Sequence, residues 1–175
     1  GGRADLLVVD LRDRAAAVAT VDTAARRLGR LDIVVHNAAA FPMGYVVDLA
    51  DEDIDSALAV NLKNAFWFAA AAHPHLKASP AGRLLFTSSV TGPRVVAPGL
   101  AAYAASKGGL NAFIRSAALE WAADGITVNG VEPGMIRTPA VDLLDPVVAE
   151  NLARYIPMKR IGEPDEIAGA AVFLA

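Results

Sequence analysis

The sequence predicts an α/β fold built around a parallel β-sheet, and two of its features indicate this class. Short apolar runs, such as residues 32–36 and 83–88, alternate with long alanine-rich amphipathic stretches. Apolar runs of this length are typical of strands covered on both faces, and the stretches between them are long enough to be crossover helices. The length of 175 residues and the apolar content of 54% fit one domain with a packed core.

The individual elements are predicted from these runs and from the residues that end them. Residues 6–9 are expected to form a strand that ends at Asp10, and residues 13–28 a helix that ends at Gly29. The apolar run 32–36 is expected to be a second, buried strand. The remaining predicted elements are a helix over 51–76, a strand over 83–88, a helix over 101–122, a strand over 126–131 and a final helix that starts at 164–166.

Composition and charge exclude several classes of function. The net charge is −3 without a basic patch, which argues against nucleic acid as the main partner. No cysteine is present for a thiolate site, and His73 and His75 lack an acidic partner at metal-ligand spacing, so no metal is expected. No apolar run reaches the ~20 residues that span a bilayer, and the N-terminus lacks a signal-peptide pattern. We therefore expect no membrane contact and a cytoplasmic protein.

Tyr103 and Lys107 are the residues that most directly indicate chemistry. They lie four apart on the predicted helix 101–122, so their side chains point the same way, one turn above the other. An ammonium beside a phenol favours the phenolate, so we expect the pKa of Tyr103 to lie below the usual value of about 10. Such a phenol can exchange a proton with a carbonyl or an alcohol near neutral pH, which predicts redox chemistry at a C–O bond with a hydride partner.

Five landmarks along the chain together resemble the short-chain dehydrogenase/reductase family. In order they are Asn37-Ala38-Ala39, Asn61, Ser89, the Tyr103/Lys107 pair and Pro133-Gly134. A Tyr-x-x-x-Lys pattern alone arises by chance in many helices, whereas five ordered landmarks over essentially the whole chain are specific. The resemblance implies a doubly wound, Rossmann-like sheet and an NAD- or NADP-dependent oxidoreductase that interconverts a ketone and a secondary alcohol. A Rossmann-like methyltransferase would have no reason to keep these residues.

The resemblance implies catalytic roles for Asn61, Ser89, Tyr103 and Lys107. Tyr103 would be the general acid in reduction and the base in oxidation, and Lys107 would also bind the nicotinamide ribose. Ser89 starts the family's pattern of a serine, two small or apolar residues and a glycine, so it would hold the substrate oxygen. Neighbouring side chains of a strand face opposite ways, so Ser88 would instead cap or line the strand end. Asn61 would distort its helix and hold a water that links Lys107 to solvent.

The resemblance also implies a set of cofactor contacts. The residues are Asp10, Leu11, Asn37, Ala38, Ala39, Tyr103, Lys107, Pro133, Gly134, Ile136 and Thr138. Asp10 and Leu11 would hold the adenine, although an aspartate at a strand end can also cap the next helix. The segment 133–138 would meet the nicotinamide carboxamide and phosphate, unless it is a simple turn. His36 and Ala39 depart from the family's Asn-Asn-Ala-Gly, and we expect His36 to be a strand-end residue with a satisfied ring.

One part of the family pattern is missing from the sequence. The fold normally begins with a strand, a glycine-rich turn and a helix N-terminus that holds the pyrophosphate, and no such turn follows a strand here. We therefore expect the chain to begin at the family's third strand and to stop before its last, with residues 6–9 not paired with 32–36. The alternative is a non-catalytic scaffold or fragment that cannot bind the dinucleotide. The choice between NAD and NADP stays open, because its usual determinant lies in the missing part.

Two further expectations concern the substrate and the assembly. Residues 139–157 would form a substrate-covering loop and helix, and their apolar content favours an apolar or acyl-type carbonyl substrate. The helix 101–122 carries apolar or small residues around most of its circumference, so it should be buried on more than its sheet face. By the resemblance, we expect such helices to pair in a homodimer or homotetramer.

Overall fold

The structure is a computed structural model that describes residues 4–142 and 146–175. The strands β1 to β3 of this part of the chain are Ile33–His36, Arg83–Thr87 and Thr127–Val131. Its helices α1 to α7 are Arg14–Leu28, Asp51–Leu58, Asn64–Lys77, Ala101–Trp121, Pro139–Asp142, Pro146–Tyr155 and Pro164–Leu174. A π-helical turn, Ala59–Lys63, joins α2 to α3 without a break, and a 3-10 turn, Ala122–Asp124, follows α4. The predicted α/β class is confirmed.

The three strands form one parallel sheet in the order β1-β2-β3. Val34 pairs with Leu84, and Leu84 pairs with Val128, so the three strands are consecutive neighbours. Because the strands are parallel, Asn37, Ser88 and Glu132, which directly follow them, all lie at the same edge. Ligands bind at this carboxyl edge in open α/β sheets.

Two expectations about the first strands are wrong. Residues 6–9 form no strand, and the side chains of Leu6 and Val8 are exposed, because no described strand lies beside them to accept their backbone hydrogen bonds. The strand β1 is not fully buried either: Ile33 and Val35 are 45% and 50% exposed. Their face of β1 is left open, whereas the opposite face packs against α3.

The hydrophobic core lies between the sheet and the helices α1, α3 and α4. Leu84 and Phe86 of β2 and Leu110 of α4 are fully buried in it, and Phe86 meets Phe113 edge to face with ring centroids 5.7 Å apart. The helix α3 buries alanines against α1, which lets the two helix backbones approach closely. Truncation of one buried leucine in such a core typically costs about 2–5 kcal/mol. The core therefore holds α4 firmly against β2 and β3.

The helix ends follow the sequence rules closely. The carboxylate of Asp13 accepts hydrogen bonds from the N–H groups of Ala15 and Ala16, which caps the first turn of α1. Gly29 ends α1 in the left-handed conformation with φ +82°, which a glycine adopts without strain. The helix α7 begins with a capping box between Glu163 and Glu166. These ends confirm the predicted boundaries of the first and last helices.

Candidate active site

Tyr103 and Ser89 lie near one another at the carboxyl edge of the sheet. Tyr103 lies in the first turn of α4 and is half-buried, and Ser89 lies two residues beyond β2. Burial raises the pKa of Tyr103 above its ordinary value, and the nearby Ser89 hydroxyl lowers it by a smaller amount. The prediction that the pKa of Tyr103 is lowered is therefore wrong, because desolvation penalises the phenolate more than its neighbours stabilise it.

Lys107 lies one helical turn beyond Tyr103 and is 1% exposed. Its Nζ lies 5.7 Å from the ring centroid of Tyr103 and donates a hydrogen bond of 2.7 Å to the carbonyl of Thr87, the last residue of β2. Burial lowers the pKa of Lys107 to about 8, because an ammonium loses its hydration in the interior. A buried cation with one backbone acceptor is costly, and such sites are typical of functional positions.

Asn61 joins the segment after β1 to α4. Its Oδ1 accepts a hydrogen bond from the N–H of Ala40, and its Nδ2 donates to the carbonyl of Ala40 and to Oγ of Ser106, all within 3.0 Å. Ser106 in turn donates to the carbonyl of Tyr103 at 2.7 Å. Asn61 is fully buried in the π-helical turn, so the predicted helix distortion is confirmed. Its amide therefore hydrogen bonds with Ala40 and Ser106 and does not compete for the backbone hydrogen bonds of its own helix.

Ser106 is a site residue that sequence reasoning missed. It links Asn61 to the backbone of Tyr103 and is fully buried. The available signal was its position directly before Lys107, where a serine in a helix interior needs a hydrogen-bond partner.

The segment after β1 is open to a ligand. Asn37, Ala38 and Ala39 are exposed at the carboxyl edge, and their small side chains leave the backbone accessible. Phe41, two residues further, packs edge to face on the ring of Tyr103 with centroids 4.6 Å apart. The structure therefore brings this predicted cofactor segment next to the phenol.

Asp10 and Leu11 lie at the turn before α1. The guanidinium of Arg12 donates to Asp10 at 2.7 Å and lowers the pKa of this exposed carboxyl to about 2. Since Asp13 caps α1, the alternative that Asp10 merely caps the helix is wrong. The Asp10 carboxylate stays negative across the neutral range and is held by its neighbour.

His36 does more than end a strand with a satisfied ring. It is 3% exposed, and its Nε2–H donates to Oδ1 of Asn64 at 2.8 Å. Asn64 in turn donates from Nδ2 to the carbonyl of Leu11 at 2.7 Å. The other ring nitrogen, Nδ1, is buried without a hydrogen-bond partner, and burial lowers the pKa of the ring. The expectation of a satisfied ring therefore holds for one nitrogen only, while Asn64, which was not predicted, anchors the Leu11 turn.

The segment after β3 is fixed at both ends and open in the middle. The carbonyl of Pro133 accepts a hydrogen bond of 3.0 Å from the N–H of Val90, and Ile136 bridges to Gly162. Gly134 is exposed, and a Cβ there would meet nothing within 4 Å. Thr138 accepts a hydrogen bond of 3.4 Å from the N–H of Val141 at the start of α5. The backbone of this segment is therefore held in place by contacts at both of its ends.

Gly92 holds the loop after Ser89 against α4. It has φ +104°, and a Cβ there would lie 2.3 Å from the carbonyl oxygen of Ala104. Gly92→Ala should therefore destabilise the protein through both backbone strain and this clash. Gly125→Ala is the matched control, since Gly125 has φ +73° and no atom near a Cβ. Urea unfolding should show roughly 1 kcal/mol lost in both variants and about 1–3 kcal/mol more in Gly92→Ala. Equal losses would contradict the close packing of this loop.

The described residues contain no helix long and apolar enough to cross a membrane. No three His, Asp or Glu side chains among residues 4–142 and 146–175 lie together as a metal ion would require.

Comparisons with known proteins show which family the chain resembles. A family model described as enoyl-(acyl carrier protein) reductase matches residues 1–175. The chain is 37% identical over 183 residues to oxidoreductase UcpA of Escherichia coli K12 and covers 70% of it. Its fold superposes with a TM-score of 0.89 on a short-chain dehydrogenase/reductase variant from Serratia marcescens, at 34% identity, covering 97% of this chain and 68% of that one.

A structure of NAD⁺-bound xylitol dehydrogenase is also similar, with a TM-score of 0.86 at 29% identity, and covers 96% of this chain and 71% of that one. The chain belongs to the short-chain dehydrogenase/reductase family, whose members are NAD(P)-dependent oxidoreductases. The predicted family and the Rossmann-like fold class are confirmed.

Proposed function

We propose that the intact protein transfers a hydride between a nicotinamide cofactor and a ketone or secondary alcohol, with Asn61, Ser89, Tyr103 and Lys107 as the catalytic residues. The observation that carries this proposal is that the Tyr103 phenol lies beside the Ser89 hydroxyl and the buried Lys107, whose Nζ is 5.7 Å from the Tyr103 ring centroid. These groups place a proton donor, a hydroxyl and a cation around one point, which is what reduction of a carbonyl requires.

Tyr103 supplies the proton to the carbonyl oxygen in reduction and removes it from the alcohol in oxidation. Because burial raises its pKa, Tyr103 is protonated at neutral pH, which suits the donor role. Ser89 orients the same oxygen through its hydroxyl. Lys107 stabilises the phenolate that forms after proton transfer, since opposite charges in a buried site attract strongly. Asn61 acts on this site through Ser106 and keeps the first turn of α4 in place.

The residues at the carboxyl edge fit a nicotinamide dinucleotide. When bound, the nicotinamide supplies or accepts the hydride. Lys107 uses one of its three N–H donors for Thr87, which leaves donors for a ribose. The exposed Asn37, Ala38 and Ala39 would line the adenosine side, and Asp10 and Leu11 would hold the adenine. Pro133, Gly134, Ile136 and Thr138 would contact the nicotinamide carboxamide and phosphate from the fixed segment after β3.

The substrate is proposed to be an apolar carbonyl compound, including acyl-type ketones. Phe41 covers one side of Tyr103, and the neighbouring Met43 is exposed, which supports an apolar approach to the phenol. Residues 139–157 are proposed to cover the substrate, and α5 and α6 lie in this segment. Two of its apolar residues, Leu143 and Leu144, lie outside the described residues. The homodimer or homotetramer and the cytoplasmic location also belong to this proposal, and the exposed Phe66 and Leu119 of α3 and α4 support the assembly.

A substrate panel tests this proposal. The intact protein is assayed with ketones of increasing alkyl length and with NADH and NADPH in parallel, following the loss of the reduced cofactor. We expect kcat/KM to rise with the length of the alkyl chain of the ketone. Each ~1.4 kcal/mol of free energy gained by burying that chain should raise kcat/KM roughly tenfold. A preference for small polar ketones would contradict the apolar substrate class but not the reaction.

A further inference from the structure

A buried chain of hydrogen bonds connects the three elements that carry the proposed site. The hydroxyl of Ser88 donates to Oδ1 of Asn111 at 2.5 Å, and Nδ2 of Asn111 donates to Oε1 of Glu132 at 2.5 Å. Nε of Arg94 then donates to Oε2 of Glu132 at 2.8 Å. Ser88 and Asn111 are at least nine-tenths buried, whereas Arg94 is mostly exposed.

The direction of these hydrogen bonds is fixed by Glu132. The hydrogen bond from Arg94 lowers the pKa of Glu132, so its carboxylate only accepts hydrogen bonds at neutral pH. The Asn111 amide must therefore turn its NH₂ group toward Glu132 and its oxygen toward Ser88. A buried amide with both ends satisfied has one stable orientation, because a flipped amide would leave a donor and an acceptor unpaired.

Two members of this hydrogen-bond chain, Ser88 and Glu132, directly precede proposed site residues. Ser88 directly precedes Ser89, and Glu132 directly precedes Pro133. Asn111 lies four residues after Lys107, on the same buried face of α4. The N–H of Val90 donates to the carbonyl of Pro133 at 3.0 Å, which places the two strand ends side by side. The Asn111 amide thus lies where the proton-transfer groups and the segment after β3 meet.

We propose that Asn111 and Glu132 are positioning residues that hold Ser89 and Tyr103 at a fixed distance from the segment 133–138. This inference rests on the proposed function, in which that segment contacts the nicotinamide. Hydride transfer requires the reacting carbons to approach to about 3–3.5 Å, and a misplacement of ~1 Å can cost about 10²-fold in rate. Arg94 contributes little by itself, since it is mostly exposed and an exposed ion pair is weak in water.

A graded set of variants tests the positioning role. Glu132→Gln keeps an acceptor for Asn111 but weakens the link to Arg94, so kcat should fall about 2–5-fold. Glu132→Ala leaves the Asn111 amide without its acceptor, so kcat should fall roughly 10–100-fold, with the primary deuterium isotope effect on kcat increased. Ser116→Ala is the control, because it removes an exposed hydrogen bond to Glu120 on the same helix. It should leave kcat and the isotope effect unchanged.

A second readout does not depend on turnover. Hydrogen exchange of the Val90 amide reports whether the ends of β2 and β3 stay together, and it should be at least about tenfold faster in Glu132→Ala, with a smaller increase in Glu132→Gln. The amide of Leu85, inside β2, should exchange at the same rate in all variants. Unchanged Val90 exchange in both Glu132 variants would overturn the proposal. A kcat of Glu132→Ala within twofold of the parent protein, with an unchanged isotope effect, would also overturn it. If the parent protein reduces no ketone, the proposed function fails, and Val90 exchange alone decides the positioning role.

Discussion

Tyr103→Phe is expected to lower kcat for ketone reduction by roughly 10²–10⁴-fold, the usual contribution of a general acid–base group. The change removes one oxygen atom and keeps the ring that packs against Phe41, so the fold of α4 should be unaffected. It also removes the phenol hydroxyl near Ser89, which leaves the Ser89 hydroxyl as the remaining donor to the carbonyl oxygen. Because Phe keeps the neighbouring backbone in place, the affinity for the cofactor should stay nearly intact.

Steady-state kinetics and cofactor titration by fluorescence measure the two effects separately. Tyr45→Phe is the matched control, since Tyr45 is 65% exposed and lies outside the proposed site residues and the segment 139–157. It should behave like the parent protein. A Tyr103→Phe variant that retains more than about a tenth of kcat would remove Tyr103 from its proposed role.

Lys107→Met is expected to abolish most activity and, at the same time, to stabilise the protein at neutral pH. The loss of the ammonium removes the partner of the phenolate and the proposed donor to the ribose, so the oxidation pH profile should shift upward and cofactor binding should weaken. The stability gain arises because burial lowers the pKa of Lys107 to about 8, which at ~1.4 kcal/mol per pKa unit is a cost of roughly 3 kcal/mol. Loss of the hydrogen bond to Thr87 offsets part of it, which leaves a gain of about 1 kcal/mol.

The pH dependence of unfolding isolates this effect. Between pH 8 and the unfolded value of 10.5, the unfolded chain binds more protons at Lys107 than the folded one, so the parent protein gains stability as the pH rises. The methionine variant lacks this gain, and its advantage should shrink over the same range and be greatest below pH 8. Urea unfolding at pH 7 and pH 10 gives the comparison. A variant less stable than the parent at pH 7 would contradict the cost assigned to the buried ammonium.

Local rules predicted the fold well where the determinants lie close together in the sequence. The end of α1 at Gly29 and the start of α7 near Pro164 depend on residues within one turn, and both are observed. The distortion at Asn61 followed from the family resemblance, and the structure gives its physical cause in the backbone of Ala40. The strand predicted for residues 6–9 is not observed, because an apolar run becomes a strand only when a neighbouring strand accepts its hydrogen bonds.

The electrostatics of the site could not be predicted from spacing alone. The four-residue spacing of Tyr103 and Lys107 correctly places them on one face, but the sign of the Tyr103 pKa shift depends on how deeply both groups are buried. Hydrogen bonds between residues far apart in the sequence could not be predicted either. Two examples are the bond between His36 and Asn64 and the bond between Ser88 and Asn111, each of which joins residues more than twenty positions apart. The two amides were not recognised because an asparagine in a helix is expected at the surface.

The most direct test of the account is the transfer of deuterium from the cofactor to the product. The intact protein is given an apolar ketone with NADH or NADPH that carries deuterium at both hydrogen positions of the nicotinamide C4, and the alcohol is analysed by mass spectrometry. The account predicts one deuterium on the carbinol carbon of the product formed by the parent protein, and a yield reduced roughly 10²-fold or more in Tyr103→Phe. An alcohol without deuterium would contradict hydride transfer from the cofactor. No alcohol with either cofactor would favour a non-catalytic member of the family.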